Sequence, residues 1–189
     1  MTATDTRTLT SIPGYVAGTW SIDPVHSEVG FTVRHMMVSK VRGRFRAFSG
    51  QIVTGASPLG SSVTAEIDLS SIDTGNEQRD AHIRSADFFE VETYPTMTYR
   101  STGVREDGDV YILDGQLTLK GVTRDVPLAL EINGFGPDAY GGTRVGFTAI
   151  GEINRRDFGV NFTAVMETGG AVVSDKITIQ LEIEAVLQS

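Results

Sequence analysis

Ile177-Thr178-Ile179-Gln180-Leu181-Glu182-Ile183-Glu184 alternates strictly between apolar and polar residues. Side chains of a strand point to opposite faces with period two, so this stretch reads as a strand with one dry face and one wet face. The same pattern recurs upstream. Val29, Phe31 and Val33 are apolar, with Thr32 and Arg34 on the other parity. Val63, Ala65, Ile67 and Leu69 alternate with Thr64, Glu66 and Asp68. Leu113, Gly115, Leu117 and Leu119 repeat it, as do Phe147, Ala149, Gly151 and Ile153. One-faced strands of this kind belong to antiparallel sheets. About eight are counted, a number that suits a sandwich or a closed barrel.

Turn signals separate these runs. Glu106-Asp107-Gly108-Asp109 carries an Asp-Gly pair, a strong hairpin cue. Gly121 marks a turn or bulge after the strand ending at Lys120. Asn133-Gly134 through Gly141-Gly142 reads as a glycine-rich connection holding Pro137. Alternation stops from about Thr74 to Ala86. There Thr74 and Glu77 form a capping-box spacing, and a helix of about three turns is expected. Residues 1–14 read as a flexible arm and 15–189 as one domain.

Composition narrows the function classes. Of 189 residues, 40% are hydrophobic and 21% charged, which excludes a disordered chain. Net charge is −8 with the two signs interspersed, which argues against nucleic-acid binding and weakly against docking on an anionic membrane. The absence of cysteine removes disulfides, thiol nucleophiles and Cys-ligated zinc. No apolar run reaches the ~18 residues of a spanning helix, so stable membrane insertion is not expected. The N-terminal residues show no basic region followed by an apolar core, so a cytoplasmic protein is the expectation.

Candidate chemistry is sparse. His26, His35 and His82 have no metal-ligand spacing, so no metal is expected. Asp23, His26 and Ser27 are close in sequence, but neighbouring strand residues point apart and no Gly-x-Ser-x-Gly elbow is present. No phosphate loop or dinucleotide fingerprint occurs, so no nucleotide cofactor is expected. Arg79-Asp80-x-His82 either ties the helix to the sheet or positions an anionic head group. Arg155-Arg156-Asp157-Phe158 is either a phosphate holder or a bulged strand end with an Arg–Asp pair. Nine Phe stand against one Trp. Inward aromatics of an eight-stranded barrel either fill it or leave room for one ligand, and periodicity leaves both open.

Ordered motifs then add to this reading. Trp20-Ser21-Ile22-Asp23-Pro24-Val25-His26-Ser27 is followed by Val29-x-Phe31-x-Val33-x-His35 and Val41-x-Gly43-x-Phe45-x-x-Phe48-x-Gly50. Next come Ser71-Ile72-Asp73-Thr74-Gly75 and Arg79-Asp80-x-His82-x-Arg84-Ser85-x-Asp87-Phe88-Phe89. Tyr94-Pro95, Gly115-x-Leu117-Thr118-Leu119-Lys120-Gly121-Val122-Thr123 and Arg155-x-Asp157-Phe158-Gly159 complete the series. Over about Trp20 to Leu187 the chain resembles the YceI-like, polyisoprenoid-binding family. The resemblance implies an all-β fold, an extended eight-stranded antiparallel lipocalin-like barrel with one short helix around an apolar channel. It also implies binding of a polyisoprenoid, an isoprenoid quinone or a similar lipid, with no catalysis, and pairing into homodimers in some members. An enzyme acting on an isoprenoid, for which His26, Asp80 and His82 are the suggestive set, and an interaction module with a filled core are the alternatives. On this reading the tail would lie along Phe31, Val33, Phe45, Met97, Tyr99, Leu117, Leu119, Phe147, Phe158, Phe162 and Met166. The head would meet His35, Arg79, His82 and Arg155.

Overall fold

A computed structural model describes residues 12–164 and 173–188. The strands are β1 (Gly18–Ile22), β2 (Glu28–His35), β3 (Ser39–Phe45), β4 (Phe48–Thr54), β5 (Ser62–Asp68) and β6 (Ile72–Asp73). After helix α1 (Glu77–Arg84) come β7 (Thr96–Asp107), β8 (Val110–Leu119), β9 (Val122–Asp125), β10 (Leu128–Pro137), β11 (Thr143–Asn154) and β12 (Val173–Leu187). Eight of them form a ring in the order β1-β4-β5-β7-β8-β10-β11-β12, closed by antiparallel pairing of β12 with β1. Closure leaves no free edge in that ring, which removes the main hazard of an antiparallel sheet.

The remaining strands extend the barrel. β1 and β2 both pair with β12, in registers Trp20↔Leu187 and Phe31↔Ile179, so they are one long strand broken in the middle. At the break Asp23 N–H donates to the Glu184 carbonyl at 2.8 Å, and Glu184 N–H donates to Ser27 Oγ at 3.0 Å. The break therefore keeps its hold on β12. In the same way β3 and β4 pair with β2 and β1, β6 pairs with β3, and β9 prolongs the wall beside β8. α1 lies between β6 and β7 in the chain and marks the helix end of the barrel.

Two sequence expectations change. Asn133–Gly136 belongs to β10, which continues through a bulge between Ile132 and Gly134 to Pro137, so the connection to β11 is only 138–142. A bulge interrupts alternation without ending a strand. The helix is shorter than expected, and its N-cap is Asn76, whose side chain accepts from Arg79 N–H. Thr74 is not the cap because its hydroxyl and N–H are both engaged by Asp80. Residues 1–11 of the expected arm lie outside the described residues.

The core lies against the inner faces. Trp20 is fully buried among Ile22, Ile52, Val145, Phe147 and Ala185, and its indole N–H donates to Thr54 Oγ1 at 2.8 Å. Phe135 meets the Trp20 ring edge-on at 5.5 Å and the Tyr15 ring at 5.2 Å, plugging the end opposite the helix.

Candidate functional site

The barrel encloses a cavity of about 550 Å³. It runs from Tyr15, Tyr111 and Phe135 at the plugged end to His35, Arg79, His82 and Phe162 at the helix end. Its walls are the inward parities of the strands. Ile177, Ile179, Leu181 and Ile183 line it, while the intervening Gln180, Glu182 and Glu184 are polar and outward. Phe31, Val33, Met97 and Ile179 point inward yet are only half-buried, as expected of side chains facing empty space. The interior is hollow rather than filled.

Two close approaches help to keep it hollow. Phe31 stands directly across from Gly43, and a methyl group at position 43 would overlap its ring. Tyr99 lies over Gly115 in the same way. With no Cβ beneath them, both rings lean against the wall instead of projecting into the lumen. The Tyr99 hydroxyl donates to the Val126 carbonyl at 2.8 Å. Burial, and then the nearby Asp114 charge, raise its pKa, so it stays a donor.

Most residues expected to touch a ligand line this cavity: Phe31, Val33, Phe45, Met97, Tyr99, Leu117, Leu119, Phe147 and Phe162 on its walls, and His35, Arg79, His82 and Arg155 at its helix end. Phe158 does not. Arg155–Phe158 is a 3-10 turn, so strand parity ends at Asn154, and Phe158 is 1% exposed in the core cluster that includes Leu119, Val126 and Leu128. Met166 lies outside the described residues. Strand parity already pointed to Val29, Leu113 and the inward residues of β12, which were not nominated. Phe48, Phe89 and Leu130 also line the cavity, and Phe89 follows the helix, where no period marks it.

Polar groups gather at the helix end. Arg79 Nε–H donates to Thr74 Oγ1 and its Nη2 to the Thr74 carbonyl, both at 2.7 Å. Asp80, 4% exposed, accepts from Thr74 N–H and the Thr74 hydroxyl. This knits the start of α1 to the preceding turn. His82 bonds Asp87 at 2.8 Å and packs edge-on against Phe88 and Phe162 at 5.1 and 5.0 Å. Its side chain is 45% exposed and also lines the cavity, so the lumen reaches solvent there.

Arg155 is a clamp. It is 4% exposed, and its guanidinium donates to the carbonyls of Val160 (2.8 Å), Phe162 (2.7 Å) and Ser174 (3.2 Å). Its Nη2 faces Asp175 at 3.2 Å and Thr163 Oγ1 at 3.5 Å. Four hydrogen bonds and the Asp175 ion pair hold the fork, which leaves little of it for a head group. The acid that pairs with it is Asp175, not Asp157. Burial lowers its pKa and Asp175 opposes that effect.

A second polar cluster sits outside the lumen. Asp23, His26 and Glu184 converge, with His26 Nδ1 2.8 Å from Asp23. Arg144 donates to Asp23 at 2.7 Å and to Glu184 at 2.8 Å, and lies 3.2 Å from Asp138. The guanidinium thus already supplies the positive charge a metal ion would bring. Ser27 Oγ bonds the Glu184 backbone rather than His26, so no nucleophile–base pair forms. The Arg144 bond, and then the His26 bond, depress the Asp23 pKa. Asp138 is lowered mainly by the Gly142 N–H, and Asp73 mainly by the Gly75 N–H. A depressed carboxylate stabilises the fold above its unfolded pKa, and that stability is lost as pH falls through the folded value. The melting temperature is therefore expected to hold from neutral pH to about 5 and to fall below about 4. Arg144→Met should lower it at neutral pH and flatten the acid limb; an unchanged acid limb would contradict this assignment.

The YceI-like domain matches residues 20–185. The chain belongs to the YceI-like family. A UPF0312 protein of Staphylococcus epidermidis is 38% identical over 167 residues, covering 87% of this chain and 95% of its own. The YceI protein of Campylobacter jejuni, a solved structure, is 32% identical with a TM-score of 0.71, covering 88% of this chain and 96% of its own. A polyisoprenoid binding domain from Saccharophagus degradans shares the fold at 19% identity with a TM-score of 0.68, covering 92% and 100%. The YceI-like match begins at Trp20 and ends at Ala185, inside β1 and β12, the two strands whose pairing closes the barrel.

Proposed function

We propose that this YceI-like chain binds one long isoprenoid amphiphile, such as a polyprenyl lipid or isoprenoid quinone, and carries or stores it. The observation that carries the reading is the hollow, mostly apolar lumen of about 550 Å³ whose cationic and imidazole side chains gather at the helix end. That volume falls within the usual range for ligand pockets. The tail lies along Phe31, Leu117 and Phe147, and the head meets Arg79, His82 and His35. Each buried methylene-sized group contributes about 0.8 kcal/mol, offset by the cost of ordering the chain and by the competing membrane. The name of the Saccharophagus degradans neighbour supports the ligand class. Binding without catalysis is supported by the scatter of the suggestive set: of His26, Asp80 and His82, only His82 lines the lumen. Native mass spectrometry of gently purified protein should show a co-purified lipid of isoprenoid mass, released unaltered on denaturation. Protein that carries no lipid and takes up neither geranylgeraniol nor a prenyl quinone would overturn the proposal.

A further inference from the structure

Met36, Met37 and Val38 form the tip of the β2–β3 hairpin, and all are exposed, Val38 at 87%. Val38 N–H donates to the His35 carbonyl at 3.3 Å, and both central residues of this tight turn are left-handed, with φ of 52° and 61°. Such turns favour Asn and Gly, which adopt positive φ at low cost. Two methionines there strain the backbone and leave apolar side chains in water, so the fold itself gains nothing from them.

Directly behind the tip, Arg34 stands opposite Lys40, and Arg42 follows on the same outer face. Like charges in direct register destabilise a sheet. Arg44 and Arg46 share Asp73, whereas among the described residues Arg34, Lys40 and Arg42 have no carboxylate partner. Residues 34–46 hold five of the 16 basic residues and no Asp or Glu, in a chain of net charge −8. The interspersion of charge read along the whole sequence therefore breaks down at this hairpin. The tip lies at the end of the lumen that His35, Arg79 and His82 line.

We propose that this hairpin tip docks on an anionic lipid bilayer. Met36, Met37 and Val38 enter the acyl boundary while Arg34, Lys40 and Arg42 meet the headgroup phosphates. A nucleic acid would match the cations but not the apolar tip. The inference rests on the lipid-binding reading for its purpose: a prenyl cargo resides in membranes, and docking here presents the lumen's polar mouth to them.

Co-sedimentation with phosphatidylcholine vesicles, with and without phosphatidylglycerol, tests it. Wild-type protein should bind the anionic vesicles, weakly or not at all the neutral ones, and less at high salt. Met37→Ser/Val38→Ser and Lys40→Gln/Arg42→Gln should each weaken binding about tenfold or more. None of these four residues lines the cavity, so uptake of geranylgeraniol, followed by native mass spectrometry, should not change. That uptake also reports that the variants are folded. Prenyl uptake without vesicle binding, or vesicle binding undiminished in both variants, would overturn the docking surface alone. Vesicle binding lost in both variants while they melt like the wild type, with no prenyl uptake by any form, would support docking and sink the carrier reading.

Discussion

Ala149→Trp is expected to abolish prenyl binding and leave a folded barrel. Ala149 sits on the inner face of β11, between Leu130 of β10 and Leu181 of β12, and lines the lumen. An indole there projects into space that a ligand tail would occupy. In a filled core the same substitution would cost about 1–3 kcal/mol or more through overpacking. Ala149 is itself 4% exposed, so the indole must pass between its neighbours, but the lumen beyond them takes the ring and the loss falls on the ligand, about 100-fold or more in affinity by exclusion. Ile150→Trp is the matched control. It is one residue along the same strand, faces outward and is half exposed, so binding should survive. Titration of both variants with geranylgeraniol, beside their melting curves, separates the cases. Equal loss of binding in both, or unfolding of Ala149→Trp alone, would refute a hollow ligand lumen.

The second large effect is one of stability. Arg155→Met removes the guanidinium that joins residues 160–163 to the start of β12. Methionine approximates its aliphatic stem, so packing around Phe158 is largely kept while the carbonyls of Val160 and Phe162 lose their donor. Leaving buried acceptors without their donor typically costs about 1–3 kcal/mol each, and Asp175 keeps its Arg156 partner at 2.9 Å. Chemical denaturation should show a loss of that size, and Arg155→Lys should recover only part of it, because an ammonium cannot reproduce the five-donor fork. Near-wild-type stability in Arg155→Met would return this residue to the list of groups available to a head group.

Much of this was legible in the residues. Period-two alternation named the inward faces carrying Phe31, Leu117 and Phe147, because parity is a local property of a strand. It does not reach Phe158, which was expected on the lumen wall but follows the point where the backbone leaves the strand after Asn154. It also ended β10 too early, since a bulge at Gly134 looks like a loop in a linear reading. Closure was not readable from periodicity, because it depends on pairing between Trp20 and Leu187, at opposite ends of the domain. Nor was the empty interior, since parity says which side faces in but not whether facing walls meet. The role of Arg155 lay between two readings until its carbonyl partners were in view.

The hold of β12 on its neighbours has a further consequence. β12 pairs with β11 along one edge and with both β1 and β2 along the other. Until it docks, the curved sheet from β1 round to β11 is an open trough whose apolar lining is exposed to water along its length. The pairings with β1 and β2 that seal it join residues 138 to 167 positions apart, from His35 and Val173 to Trp20 and Leu187. Such distant contacts form late, because the entropy of closing a long loop must be met before they contribute. The lumen therefore belongs to no fragment of the chain: it comes into being only when β12 hides its walls.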